Sequence, residues 1–137
     1  MAGMKRFVAL SGAVGAIAVL ALPLAAQPRP RALAQASPGL WELSGIPGAA
    51  GPSRRCIADT AGLAQIEHAR QSCTRVVITD EPASAMIHYT CARGGFGQTR
   101  LTVLTPRSLR IETQGISGNA PFNYVVQARR VGSCAVH

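Results

Sequence analysis

Cys73 and Cys91 stand at the outer ends of two runs, Cys73 to Thr79 and Ser84 to Cys91, separated by the polar, proline-bearing connection Asp80-Glu81-Pro82-Ala83. Both runs are rich in strand-forming residues, so the segment reads as a β-hairpin. Setting Cys73 opposite Cys91 places Arg75 against Tyr89 and Val77 against Ile87, with both cysteines on one face and an apolar pair between them and the turn. A cross-strand disulfide is expected there. A hairpin pinned in this way commits the chain around it to sheet.

The flanking sequence continues that pattern. Gly39 to Ile46 alternates, with Trp41 and Leu43 on one side and Glu42 and Ser44 on the other, the period of a half-buried strand in which Trp41 fills the core. Ile46-Pro47-Gly48-Ala49-Ala50-Gly51-Pro52 is a turn, and Ser53 to Ile57 a short strand carrying Cys56. Asp59 is placed to cap a short helix over Thr60 to His68. Beyond the hairpin, Arg93-Gly94-Gly95-Phe96-Gly97 turns the chain into Gln98 to Thr105. Pro106-Arg107 leads to Ser108 to Ile116, and Ser117 to Pro121 leads to Phe122 to Val131, which ends at Gly132-Ser133-Cys134.

The expected class is therefore all-β with one short helix. About seven strands would form an antiparallel meander, curled into a small barrel or a strongly curved sheet that protects its edges. A barrel would bring the first and last strands together, which makes Cys56–Cys134 the natural partner of Cys73–Cys91. In the chain-entropy treatment those two closures contribute roughly 4 and 3 kcal/mol, less any native strain.

The chain opens differently. Met1 to Arg6 carries Lys5 and Arg6, and Phe7 to Ala26 is an uncharged run of about 20 apolar and small residues, long enough to span a bilayer and ordered like a secretory signal. Ala32-Leu33-Ala34 and Ala34-Gln35-Ala36 match the small-x-small pattern of a cleavage site better than Leu24-Ala25-Ala26. The expected division is residues 1–34 as signal peptide and cleavage region, 35–37 as linker and 38–137 as a single exported domain. Gln27 to Ser37 reads as a flexible connector.

Four cysteines behind an export signal imply two disulfides in an oxidising compartment. Zinc would require close ligand pairs, and there is no Cys-x-x-Cys. Loss of Lys5, Arg6, Arg29 and Arg31 with the leader would halve the formal charge of +8. The remaining arginines are scattered from Arg54 to Arg130 without interleaved aromatics, which disfavours nucleic acid and leaves contact with an anionic envelope surface open.

Taken together, the leader, Pro38-Gly39-Leu40-Trp41-Glu42, the spaced Cys56, Cys73 and Cys91, and the ending Ala128-Arg129-Arg130-Val131-Gly132-Ser133-Cys134 resemble the bacterial domain-of-unknown-function family 3617. The resemblance spans Pro38 to Cys134. It implies a small exported protein of Gram-negative bacteria with a periplasmic address, and it assigns no role to any residue. The chain departs from the family at Ala58-Asp59-Thr60, where relatives tend to carry threonine-proline-acid.

Searching for reactive constellations removes most enzyme classes. No Gly-x-Ser-x-Gly elbow is present. His88 lies in a strand beside Tyr89 and would need an acidic partner brought near by folding. Glu67 and His68 are adjacent on the short helix, point in different directions, cannot form a metal pair alone, and read as surface residues. Gly94-Gly95-Phe96-Gly97 lacks the lysine and helix of a phosphate loop. No catalytic, cofactor or metal site is expected, and all four thiols are consumed by the pairing of Cys73 with Cys91 and Cys56 with Cys134. The expected function is a binding or interaction module for an apolar or amphipathic ligand or an envelope partner, with peripheral membrane contact open. The alternatives are an envelope hydrolase using His88, or a structural or stress-related envelope protein.

Overall fold

The computed structural model describes residues 29–135; the leader read over Met1 to Ala26 lies outside them. A short helix α1 (Arg31–Ala34) precedes seven strands: β1 (Gly39–Ser44), β2 (Ser53–Ile57), β3 (Cys73–Asp80), β4 (Ser84–Cys91), β5 (Phe96–Thr105), β6 (Ser108–Ser117) and β7 (Ala120–Gly132). All seven form one antiparallel sheet in the order β2-β1-β7-β6-β5-β4-β3. A 3₁₀ helix, Thr60–His68, joins β2 to β3. Among the described residues, no helix is long and apolar enough to cross a membrane.

The expected seven strands, short helix and two disulfides are present, and the Cys73 hairpin has the register read from the sequence: Cys73 opposes Cys91, Arg75 opposes Tyr89 and Val77 opposes Ile87. The barrel does not close. The first strand does meet the last, since β1 pairs with β7, but β2 and β3 form two separate edges. The reason lies in their connection: the chain between these strands forms the 3₁₀ helix, which buries Leu63, Ala64 and Ile66 in the same core as the sheet's apolar face instead of making a hairpin turn.

That core follows from strict alternation. Ala85, Ile87 and Tyr89 of β4, Leu101 and Val103 of β5, Leu109 and Ile111 of β6, and Val126 and Ala128 of β7 are buried beneath the helices. Trp41 is fully buried, and its Nε1 donates to Ser37 O at 3.0 Å, satisfying the one polar atom of the ring. Asp59 caps the 3₁₀ helix as expected, its carboxylate accepting from the Ala61 N–H at 3.0 Å. The helix is interrupted at Gln65, whose side chain donates to His68 O and Gln71 O while accepting from Arg75. These bonds hold the end of the helix against β3.

The flexible connector expected over Gln27 to Ser37 is a correction. From Arg31 onward it is folded: Ala32 and Leu33 are fully buried, and Ser37 N donates to Pro106 O. Composition hid this, because α1 is a single turn set directly behind Gln27-Pro28-Arg29-Pro30, whose prolines and arginine read as a connector.

Candidate functional site

Away from the helices the sheet presents a second face, and the pairing registers lay out its rows. His88, Gln98, Gln114 and Asn123 are consecutive cross-strand neighbours, as are Phe96 and Ile116 on one side of them and Met86, Arg100, Glu112 and Val125 on the other. A line of imidazole and amide groups thus runs between an apolar row and a mixed row that contains a cation. Two adjoining hollows lie along it. One, of 380 Å³, is lined by His88, Phe96, Ile116 and Phe122 among others; the second, of 230 Å³, by Met86, Arg100, Glu112 and Val125; Gln98, Gln114 and Asn123 belong to both. The larger of the two falls at the lower end of the volumes of small-ligand sites, about 300 to 1,000 Å³.

The charges on this face are unevenly satisfied. Glu42 lies between Arg54 and Arg129, which flank it on the neighbouring strands at 3.3 and 3.4 Å. Glu112 pairs with Arg110 at 3.1 Å, along its own strand. Arg100 sits directly across from Glu112 in register, yet among the described residues no carboxylate pairs with it. The exposed large apolar residues fall into two sets. Val76, Phe96 and Val125 stand on the open face, whereas Ile78, Leu104 and Val131 are the extra residues at the three places where the strand register shifts.

The floor of the larger hollow is thin. Gly97 and Gly115 face each other across β5 and β6, flanked in the same row by Tyr89 and Phe122. A Cβ on Gly97 would lie 2.5 Å from the Tyr89 ring and one on Gly115 would lie 2.1 Å from Phe96 O, so both positions need glycine for close approach. Beneath that floor the Tyr89 hydroxyl meets His68 Nδ1 at 3.0 Å, and Gly95 leaves the space that the His68 ring occupies. Burial pushes the Tyr89 phenol up to about 12, with the negative charge of Glu67 adding to the effect and a Thr113 hydrogen bond opposing it.

Beside this pair, Tyr124 donates to Glu67 Oε2 at 2.7 Å, and Thr99 and Thr113 share a buried hydrogen bond of 2.9 Å. Burial first, and then the Glu67 hydrogen bond and charge, also raise the Tyr124 phenol above its ordinary range, with Arg55 opposing. The surface reading of Glu67 and His68 is thereby corrected: His68 is buried and Glu67 half-buried. The end of the 3₁₀ helix lies over the sheet, so successive side chains reach Tyr124 on β7 and Tyr89 on β4. The signal in the sequence was the pair Gly95 and Gly97, which makes room for the rings of His68 and Tyr89.

A further cleft of 620 Å³ opens between β2 and the end of the 3₁₀ helix, lined by Ser53, Arg55, Glu67 and Arg70 among others. It mixes both charges. Arg55 is held by a hydrogen bond to Ile66 O.

His88 lies on the open face with its ring 6.1 Å from that of Phe96, and among the described residues no carboxylate or hydroxyl hydrogen-bonds to it. Cys56, Cys134, Cys73 and Cys91 are all disulfide-bonded in the expected pairs, and no free cysteine is present among the described residues. Among those residues no group of histidine, cysteine and carboxylate side chains could hold a metal ion. No family model, curated protein or solved structure matches the chain.

Proposed function

We propose that this protein is an exported, disulfide-pinned binding module whose open sheet face takes an amphipathic molecule with an anionic head. The observation that carries this reading is Arg100, a cation with which no carboxylate among the described residues pairs, at one end of a groove whose other end is apolar. The amide groups of Gln98, Gln114 and Asn123 supply neutral donors and acceptors between them. Phe96 and Ile116, paired across β5 and β6, offer the surface on which an acyl chain loses contact with water.

An address outside the cytoplasm agrees with this ligand. Two disulfides agree with an oxidising compartment, the leader has the order of a secretory signal, and the likeness to the exported family 3617 favours the periplasm of a Gram-negative bacterium. Lipids there carry phosphate heads, and an envelope lipid is the natural occupant.

The test uses vesicles of phosphatidylglycerol and of phosphatidylcholine, with inorganic phosphate as a third arm. Co-sedimentation and a raised melting temperature are expected with phosphatidylglycerol alone, and Arg100→Gln, which removes the cation without setting a second carboxylate opposite Glu112, should abolish both while leaving the melting temperature of the free protein nearly unchanged. Equal response to the two lipids would remove the role of Arg100. Response to phosphate alone would remove the apolar half of the groove, and no response in any arm would end the proposal.

A further inference from the structure

The residues just before β1 bear on where the leader ends. Ala32 and Leu33 are fully buried and Ala36 nearly so, in one cluster with Trp41, Leu43 and Leu63. Polar bonds fix the same stretch at three separate places. The Thr60 hydroxyl donates to Leu33 O at 3.0 Å, at the start of the 3₁₀ helix. At the β3–β4 turn, the Arg31 N–H donates to Asp80 Oδ1 at 2.8 Å and the Gln35 side-chain amide donates to Pro82 O. At the β5–β6 turn, Ser37 N donates to Pro106 O at 3.2 Å. Upstream of α1, Arg29 pairs with Asp59, the capping residue of the 3₁₀ helix, at 2.8 Å.

A cut after Ala34 would remove Leu33 from the core and the acceptor from the buried Thr60 hydroxyl; a cut after Ala36 would also take the Gln35 bond. Both leave a hole lined by apolar side chains and an unmatched polar group. The small-residue sites that look best in the sequence therefore lie inside the folded domain.

Resting on the exported reading above, we propose that the leader is removed upstream of α1, at the Ala26–Gln27 bond of Leu24-Ala25-Ala26-Gln27, and that the mature protein keeps α1 as its first element. Hydrolysis breaks that peptide bond, water supplying the hydroxyl to the Ala26 carbonyl and a proton to the Gln27 amine. The enzyme is a signal peptidase acting where the apolar run ends.

The full-length chain, produced with its own leader in a Gram-negative host, tests this by intact-mass and tandem mass spectrometry of the purified product. A start at Gln27 is expected. A start at Gln35 or Ser37 overturns the proposal while leaving export intact, whereas a chain still beginning at the leader overturns it together with the export-and-cleavage reading. Independently, chains starting at Gln27 and at Gln35 can be exported behind a foreign leader. The shorter one should melt more than about 10 °C lower, and equal melting temperatures would show that α1 is dispensable and overturn the argument.

Discussion

The Tyr89 hydroxyl and His68 Nδ1 meet at 3.0 Å beneath the glycine floor of the open-face groove, joining the 3₁₀ helix to β4. Tyr89 and Tyr124 are the only two tyrosines in the chain, so their ionisation can be followed without interference from others. Tyr89 is held up to about 12 by burial and by Glu67, and Tyr124 is raised by burial and its bond to Glu67. A raised phenol favours the folded state at every pH below the unfolded value of ~10, and that contribution is lost as pH climbs through the folded value. Absorbance near ~295 nm should show almost no phenolate at pH ~10.5 in the folded protein and substantial phenolate in denaturant. Stability should fall between pH ~10 and ~12. Ordinary titration of both groups in the folded protein would contradict their burial.

Glycine spacing gives a second test. Gly97→Ala places a methyl 2.5 Å from the Tyr89 ring, which packs on β4 with no open side to retreat into. The expected cost is about 1 to 3 kcal/mol in denaturant unfolding. Gly62, in the 3₁₀ helix, has nothing within 4 Å of the corresponding position. Gly62→Ala should be neutral or stabilise by up to ~1 kcal/mol, and equal losses at the two sites would show that the Tyr89 contact is not the cause.

Alternation made the sheet legible from the sequence, and the cysteine positions fixed the register of the β3–β4 hairpin, because a slip of one residue would turn Arg75 and Ile87 to the wrong faces. Strand order beyond the hairpin was less accessible. Periodicity in Thr60–His68 suggests a helix but does not say that it spans from one sheet edge to the other and leaves the barrel open. Burial of His68 depends on Gly95 and Gly97, residues that look like turn chemistry until Tyr89 is placed opposite Gly97. The groove is invisible in the chain itself, since Phe96, Arg100, Gln114 and Asn123 meet only through pairing across three strands.

Leu33 supplies the sharpest test of α1. Its side chain is fully buried at the junction of α1 with the 3₁₀ helix and the sheet, and its carbonyl holds Thr60. Leu33→Ala should destabilise by about 2 to 5 kcal/mol. The exposed Arg31→Ala, which removes only surface bonds to Asp80, should cost about 1 kcal/mol or less. If Leu33→Ala unfolded at the same denaturant concentration as the parent protein, the helix would not belong to the core.

Each sheet edge carries one half of a disulfide: Cys56 lies on β2 and Cys73 on β3, the two strands that fail to meet. An open edge frays because its outer backbone groups have no partner strand. Cys73–Cys91 ties β3 to its neighbour β4, whereas Cys56–Cys134 ties β2 to the segment after β7, which is two strands away across β1. The bridges close separations of 18 and 78 residues. Replacing both cysteines by alanine should therefore cost about 3 kcal/mol for Cys73 and Cys91 and between about 4 and 5 kcal/mol for Cys56 and Cys134. Hydrogen exchange separates local from global effects: loss of Cys56–Cys134 should first release the amides of β2, and loss of Cys73–Cys91 those of β3. Uniform loss of protection over all seven strands in both variants would mean that the bridges stabilise the domain as a whole and do not staple its edges.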